Sequence, residues 1–146
     1  MTTRAYLALG SNLGERAALL GRARTALSAR EGIRLASCSA TVETEPVDVT
    51  DQPDFLNQVL GVDTDLPPRA LLEAALEIER ELGRDRSAAP PKGPRTIDVD
   101  VLLYGGREVD EPGLTVPHPR LAERGFLLEL CRQAGAPEAW IPAAAR

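Results

Sequence analysis

Aromatic residues are scarce in this chain: two Phe, two Tyr and one Trp among 146 residues. The core must therefore come mainly from aliphatic side chains, and each ring stands out. Cysteine is as rare. Cys38 and Cys131 lie far apart, and neither has a neighbour at metal-ligand spacing. That excludes a disulfide framework and a cysteine-built zinc site, and two unlinked thiols suit a reducing, cytoplasmic compartment. There is no excess of basic residues; the formal charge is −5. A broad nucleic-acid surface is thereby disfavoured. No apolar run is long enough to span a bilayer, and the opening Met1-Thr2-Thr3-Arg4 lacks the order of a secretory signal. The expectation is a soluble, cytoplasmic protein. Internal repeats and an interdomain linker are also missing, so residues 1–146 read as one domain, a monomer by default. No Gly-x-x-x-x-Gly-Lys-Ser/Thr stretch occurs, which excludes a P-loop kinase, and there is no protein-kinase or dinucleotide fingerprint.

What is present has the composition of a globular chain, 43% hydrophobic and 27% charged, and this argues against disorder. Ala5 to Leu9 reads as a buried strand. Asn12 with Glu15 reads as a helix start, followed by a helix over about 14–30 with Leu20, Ala23 and Leu27 on its buried stripe. Residues 33–45 read as a strand region with a bulge between Leu35 and Ala36. A proline-bearing acidic loop spans 46–53, and a third strand runs from Phe55 to Val62. Pro67 and Pro68 open a helix to Leu82 that Gly83 ends. Thr96 to Tyr104 is the clearest strand, and Gly105-Gly106 predicts a turn into a short return strand through Val109. Residues 121–131 read as a last helix, and Trp140 as the anchor of the tail. This order suits a split β-α-β plan with an antiparallel sheet.

The candidate chemistry centres on Arg95-Thr96-Ile97-Asp98-Val99-Asp100-Val101-Leu102. Residues two apart in a strand share a face. Ile97, Val99, Val101 and Leu103 are therefore expected to face the core, with Asp98 and Asp100 side by side on the other face. Two neighbouring carboxylates repel, and a positive charge belongs between them. All-oxygen ligation favours magnesium over zinc. An isolated Asp-x-Asp is often just a solvated strand face, but here a basic segment with Arg84, Arg86, Lys92 and Arg95 leads into it. Guanidinium forks match phosphate oxygens, so acids beside arginines make a polyphosphate-transfer site. Phe55 and Asn57 share a strand face, and Phe126 follows Arg124-Gly125. Two rings and an amide can recognise a flat heterocycle. His118, between Pro117 and Pro119, is held in a preset backbone and reads as a phosphate contact, not a general base.

Five stretches together resemble the 6-hydroxymethyl-7,8-dihydropterin pyrophosphokinase family. They are Leu9-Gly10-Ser11-Asn12-Leu13-Gly14; Asp51 through Asn57; Glu79 with Gly83-Arg84-Asp85-Arg86; Gly93 through Asp100; and Thr115-Val116-Pro117-His118. The resemblance spans about residues 6–128. It implies an α+β fold, a ferredoxin-like sandwich with a mainly antiparallel sheet and flanking helices. It implies two magnesium ions held by Asp98 and Asp100, with ATP as co-substrate. Phe55 and Phe126 would sandwich the pterin, while Asn57, Asp98 and backbone groups near Thr44 and Val47 would read its polar parts. Glu79, Arg86, Lys92, Arg95, Thr115, His118 and Arg124 fall where the family contacts ATP, and Arg84 and Arg95 where arginines assist transfer. Pro91-Lys92, Leu76 and Pro119 depart from the family's pattern and bear on ATP affinity.

The implied reaction is an in-line attack by the pterin hydroxymethyl oxygen on the β-phosphorus of ATP, with AMP leaving. The protein aligns the reactants and neutralises charge. A ferredoxin-like binding module without turnover and a metal-dependent phosphohydrolase are the two rivals.

Overall fold

A computed structural model describes residues 2–46, 51–83 and 97–142. Five strands form the main sheet: β1 (Thr3–Ser11), β2 (Ile33–Cys38), β3 (Val42–Thr44), β4 (Phe55–Thr64) and β5 (Asp98–Tyr104). Helix α1 (Arg16–Ala29) joins β1 to β2, and α2 (Pro68–Glu81) joins β4 to β5. The spatial order is β2-β4-β1-β5, with β3 also pairing β4, and every pairing is antiparallel. The expected split β-α-β order is thus present.

Strand β1 is buried on both faces, which is why it reads as an unbroken apolar run. Ala5, Leu7 and Leu9 join Leu20, Ala23 and Leu27 of α1 and Leu71, Ala75 and Ile78 of α2 in one core. Tyr6 and Ala8 face the opposite layer. There they meet two short helices, α3 (Arg120–Glu123) and α4 (Gly125–Gln133). Trp140 packs its ring edge-on against Tyr6 with centroids 6.2 Å apart, so the tail is anchored as expected. Both cysteines are free thiols; burial pushes the Cys131 thiol up to about 12, which keeps it protonated.

Several details differ from the sequence expectations. Leu103 faces the α3–α4 layer, not the α1–α2 core, because β5 carries a bulge. Tyr6 pairs Leu103 while Leu7 pairs Val101, so Leu102 is the extra residue that reverses the alternation. The expected return strand does not pair with β5. Instead β6 (Val109–Glu111) and β7 (Leu114–Val116) form their own hairpin. The last helix is broken at Arg124, whose backbone is extended. Asn12 does not cap α1. Its amide donates to Gln52 Oε1 at 2.7 Å and to the Pro53 carbonyl at 3.0 Å, tying the end of β1 to the segment before Phe55. The bulge expected near Ala36 is present: Leu35 pairs Val62 and Ser37 pairs Gly61.

Gly61 illustrates how tightly this sheet is covered. A Cβ there would lie 2.3 Å from Ser37 Oγ and 3.1 Å from the Tyr6 ring. Ser37 Oγ is itself committed, donating to the Ala134 carbonyl at 2.7 Å. Gly61→Ala is expected to cost about 1–3 kcal/mol in a urea titration. An unchanged midpoint would contradict this packing.

Candidate active site

The site lies on the α3–α4 side of the sheet, where four strands, β3, β4, β1 and β5, come together. One row of cross-strand partners runs Val42, Asn57, Gly10, Asp98. The next row runs Val59, Ala8, Asp100. Asp98 and Asp100 thus share a face, as their spacing predicts. Gly10 has no side chain, so a gap two strand spacings wide, about 9–10 Å, opens between the Asn57 amide and the Asp98 carboxylate. A Cβ at Gly10 would lie 3.4 Å from Asn57 Oδ1 and 3.7 Å from Phe55 Cδ1. Glycine here makes the floor of a cleft.

Phe55, Asn57, Thr44, Asp98, Asp100, Arg124 and Phe126 all line this cleft, together with Gly10 and Arg120. Phe55 and Phe126, both half-buried, come from β4 and from the start of α4. Asn57 Nδ2 donates to Thr44 Oγ1 at 2.7 Å. That bond fixes the amide and leaves its oxygen aimed over Gly10, an acceptor for ring N–H groups.

A second depression adjoins the first along β5. Arg69, Leu72 and Leu76 of α2, Val99 and Val101 of β5, and Leu114, Thr115 and His118 line it. Asp100 lines both depressions. It stands at their junction.

The positive charge expected between the two acids is present in Arg120. Its Nη1 lies 3.2 Å from Asp100 Oδ2 and 3.7 Å from Asp98 Oδ2. Among the described residues no group of three or more His, Cys, Asp and Glu converges on one point. The acidic pair still fits magnesium, which keeps several ligands for water and phosphate oxygens and takes only one or two carboxylates from a protein.

His118 accepts the Arg120 backbone N–H on Nδ1 at 3.1 Å. The ring proton therefore sits on Nε2, a donor. Burial lowers the His118 pKa below the usual 6.5; the Arg120 and Arg124 charges add to this, and Asp98 opposes it. The unfolded chain thus takes up this proton at higher pH than the folded one. Stability is full above about pH 6.5 and falls as pH drops from there towards the depressed folded value. A urea midpoint that declines below pH 6.5, with a shallower decline in His118→Gln, is the expected result. Equal pH slopes in the two proteins would contradict it.

Glu79, expected as an ATP contact, lies on the face of α2 that meets β5. It is 1% exposed, and its Oε2 accepts the Val99 backbone N–H at 2.8 Å. It braces the acidic strand from behind, because its helix position faces β5. Val47, Arg84, Arg86, Lys92 and Arg95 lie outside the described residues.

Residues 6–134 match the family model of 7,8-dihydro-6-hydroxymethylpterin-pyrophosphokinase, HPPK. The chain belongs to this family. A 2-amino-4-hydroxy-6-hydroxymethyldihydropteridine pyrophosphokinase of Methylorubrum extorquens is 48% identical over 126 residues, covering 86% of this chain and 78% of the relative. The Bacillus subtilis protein of the same name is 42% identical over 137 residues, covering 91% and 81%. The crystal structure of Plasmodium falciparum HPPK-DHPS with pteroate aligns at a TM-score of 0.70 over 91% of this chain and 39% of that one. At 14% identity that likeness is one of fold, and it supports the ferredoxin-like assignment.

Two residues of this HPPK site were not read from the sequence. Gly10 lies just past the strand read over Ala5 to Leu9, yet it pairs both Asn57 and Asp98. Its position one residue beyond a buried alternation was the available signal. Arg120 lies twenty positions from the acids, and no local pattern joins them. The unmet charge of the acidic pair was the only hint.

Proposed function

We propose that the chain transfers the pyrophosphoryl group of ATP to the hydroxymethyl group of 6-hydroxymethyl-7,8-dihydropterin, forming AMP and the pterin diphosphate, a step of folate biosynthesis. This is the activity that the family and the named relatives carry. The observation that supports it most is that Asp100 borders both depressions, so the reacting ends of two ligands can meet there.

The pterin takes the cleft over Gly10. Phe55 and Phe126 hold its faces, and the Asn57 oxygen accepts its ring N–H groups. ATP takes the second depression, with its base among Leu72, Leu76 and Leu114 and its phosphates towards His118 and Arg124. Asp98 and Asp100 hold two magnesium ions, which supply charge neutralisation of the phosphates and orient them. The His118 Nε2–H donates to a phosphate oxygen. Arg84 and Arg95 assist transfer, and Arg86, Lys92 and Thr115 contact ATP, on the strength of the family resemblance. The protein's work is alignment of the hydroxymethyl oxygen with the β-phosphorus and placement of donors where charge develops. All of these contacts are assigned to a single copy of the chain, and free thiols suit the cytoplasm. No helix among the described residues is long and apolar enough to cross a membrane.

Incubation with ATP, magnesium and hydroxymethyl-dihydropterin should yield AMP and pterin diphosphate in equal amounts. Phosphate release without pterin would point to a phosphohydrolase, and ligand binding without turnover to a binding module. Either result overturns the proposal.

A further inference from the structure

We propose that Arg120 is a displaceable counterion: it holds Asp98 and Asp100 together in the ligand-free enzyme and must yield when metal arrives. The inference rests on reading those two acids as the metal-holding pair.

One nitrogen, Nη1, lies near both carboxylates, 3.2 Å from Asp100 Oδ2 and 3.7 Å from Asp98 Oδ2. The three side chains are only 24%, 23% and 10% exposed for Arg120, Asp100 and Asp98. Water screens their charges poorly there, so the two acids need a cation between them. The arginine is also well anchored. It begins α3, its backbone N–H donates to His118 Nδ1, and the backbone N–H of His118 donates to the Leu102 carbonyl at 2.9 Å. The strand that carries the acids thereby also positions their counterion.

A magnesium ion binds carboxylate oxygens at about 2.0–2.1 Å. A guanidinium cannot stay astride the same oxygens without placing like charges a few ångströms apart. Metal and Arg120 therefore compete. Arg120 is then a positioning residue that keeps metal affinity low until a triphosphate is present. The phosphates give the displaced guanidinium a new anionic partner, and metal and nucleotide bind with positive coupling.

The test is a Mn2+ titration, read by electron paramagnetic resonance, with and without a non-hydrolysable ATP analogue. Arg120→Met keeps length and removes charge. Without nucleotide it should bind Mn2+ about tenfold more tightly than the unaltered protein, and the gain in affinity on adding the analogue should shrink by a similar factor. Arg120→Lys should resemble the unaltered protein. A merely structural arginine would give the opposite sign, with weaker metal binding in Arg120→Met. Equal or weaker binding in that variant overturns the proposal. Asp98→Asn/Asp100→Asn separates the two readings: if it leaves Mn2+ binding intact, the metal assignment itself fails. If it abolishes binding while Arg120→Met changes nothing, only the counterion role fails. A measurement on the unaltered protein covers the case of a variant that does not fold. The Arg120 Nε–Hε resonance should shift on saturation with Mg2+ and the analogue, and an unmoved resonance contradicts displacement.

Discussion

Asp98→Asn is expected to lower AMP formation by about 10³-fold or more while the protein stays folded. The substitution preserves size and strand position, so β5 and its bulge remain. It removes one carboxylate from the pair proposed to hold the metal. The neighbouring Arg120–Asp100 contact at 3.2 Å survives, so no charge is left buried and alone. The loss should therefore fall on turnover, with a change in stability of about 1 kcal/mol or less. Steady-state AMP production and a thermal melt on the same sample check both halves. Near-normal turnover would show that this acid does not serve the chemistry.

Gly10→Val is the second large effect, and it separates the two depressions. Valine suits a strand backbone, so the sheet should form. Its Cβ alone would make ordinary contacts, 3.4 Å from Asn57 Oδ1 and 3.7 Å from Phe55 Cδ1. The two methyls beyond it must then fill the floor of the cleft. KM for the pterin should rise about 100-fold, while affinity for ATP changes little because Gly10 does not line the second depression. Gly10→Ala, which stops at the Cβ, should lose far less. Isothermal titration with each ligand reads the split. Equal losses for pterin and ATP would contradict the placement of the pterin over this glycine.

The features that govern these effects were unequally visible in the sequence. Local periodicity carried most of the fold: the stripe of Leu20, Ala23 and Leu27, the proline-opened second helix, and the slip at Ala36 all depend on neighbours in the chain. Asp98 and Asp100 were legible for the same reason, since strand parity alone sets their common face. Parity failed at Leu102, because a bulge is decided by how β5 meets Tyr6 and Leu7 of a distant strand. Pairing of β6 with β7 rather than β5 was likewise a choice between partners, not a local preference.

The site divides in the same way. Phe55 with Asn57, and Phe126 after Arg124, follow from local spacing, and the sheet brings them together around one cleft. Gly10 and Arg120 acquire their roles only through cross-strand register and helix placement. The backbone bond of Glu79 was not legible in the sequence, where a carboxylate on a helix reads as a ligand contact. Here the buried face of α2 meets the back of β5, and the carboxylate takes up the Val99 N–H. A buried acid serving a backbone amide is a packing solution that charge patterning alone does not reveal.

A crystal grown with Mn2+ and an ATP analogue bearing a methylene between the α- and β-phosphorus tests the central claim most directly. Anomalous scattering should place manganese about 2.0–2.3 Å from carboxylate oxygens of both Asp98 and Asp100, with phosphate oxygens completing its shell. Manganese bound to the analogue but away from both carboxylates would contradict the account.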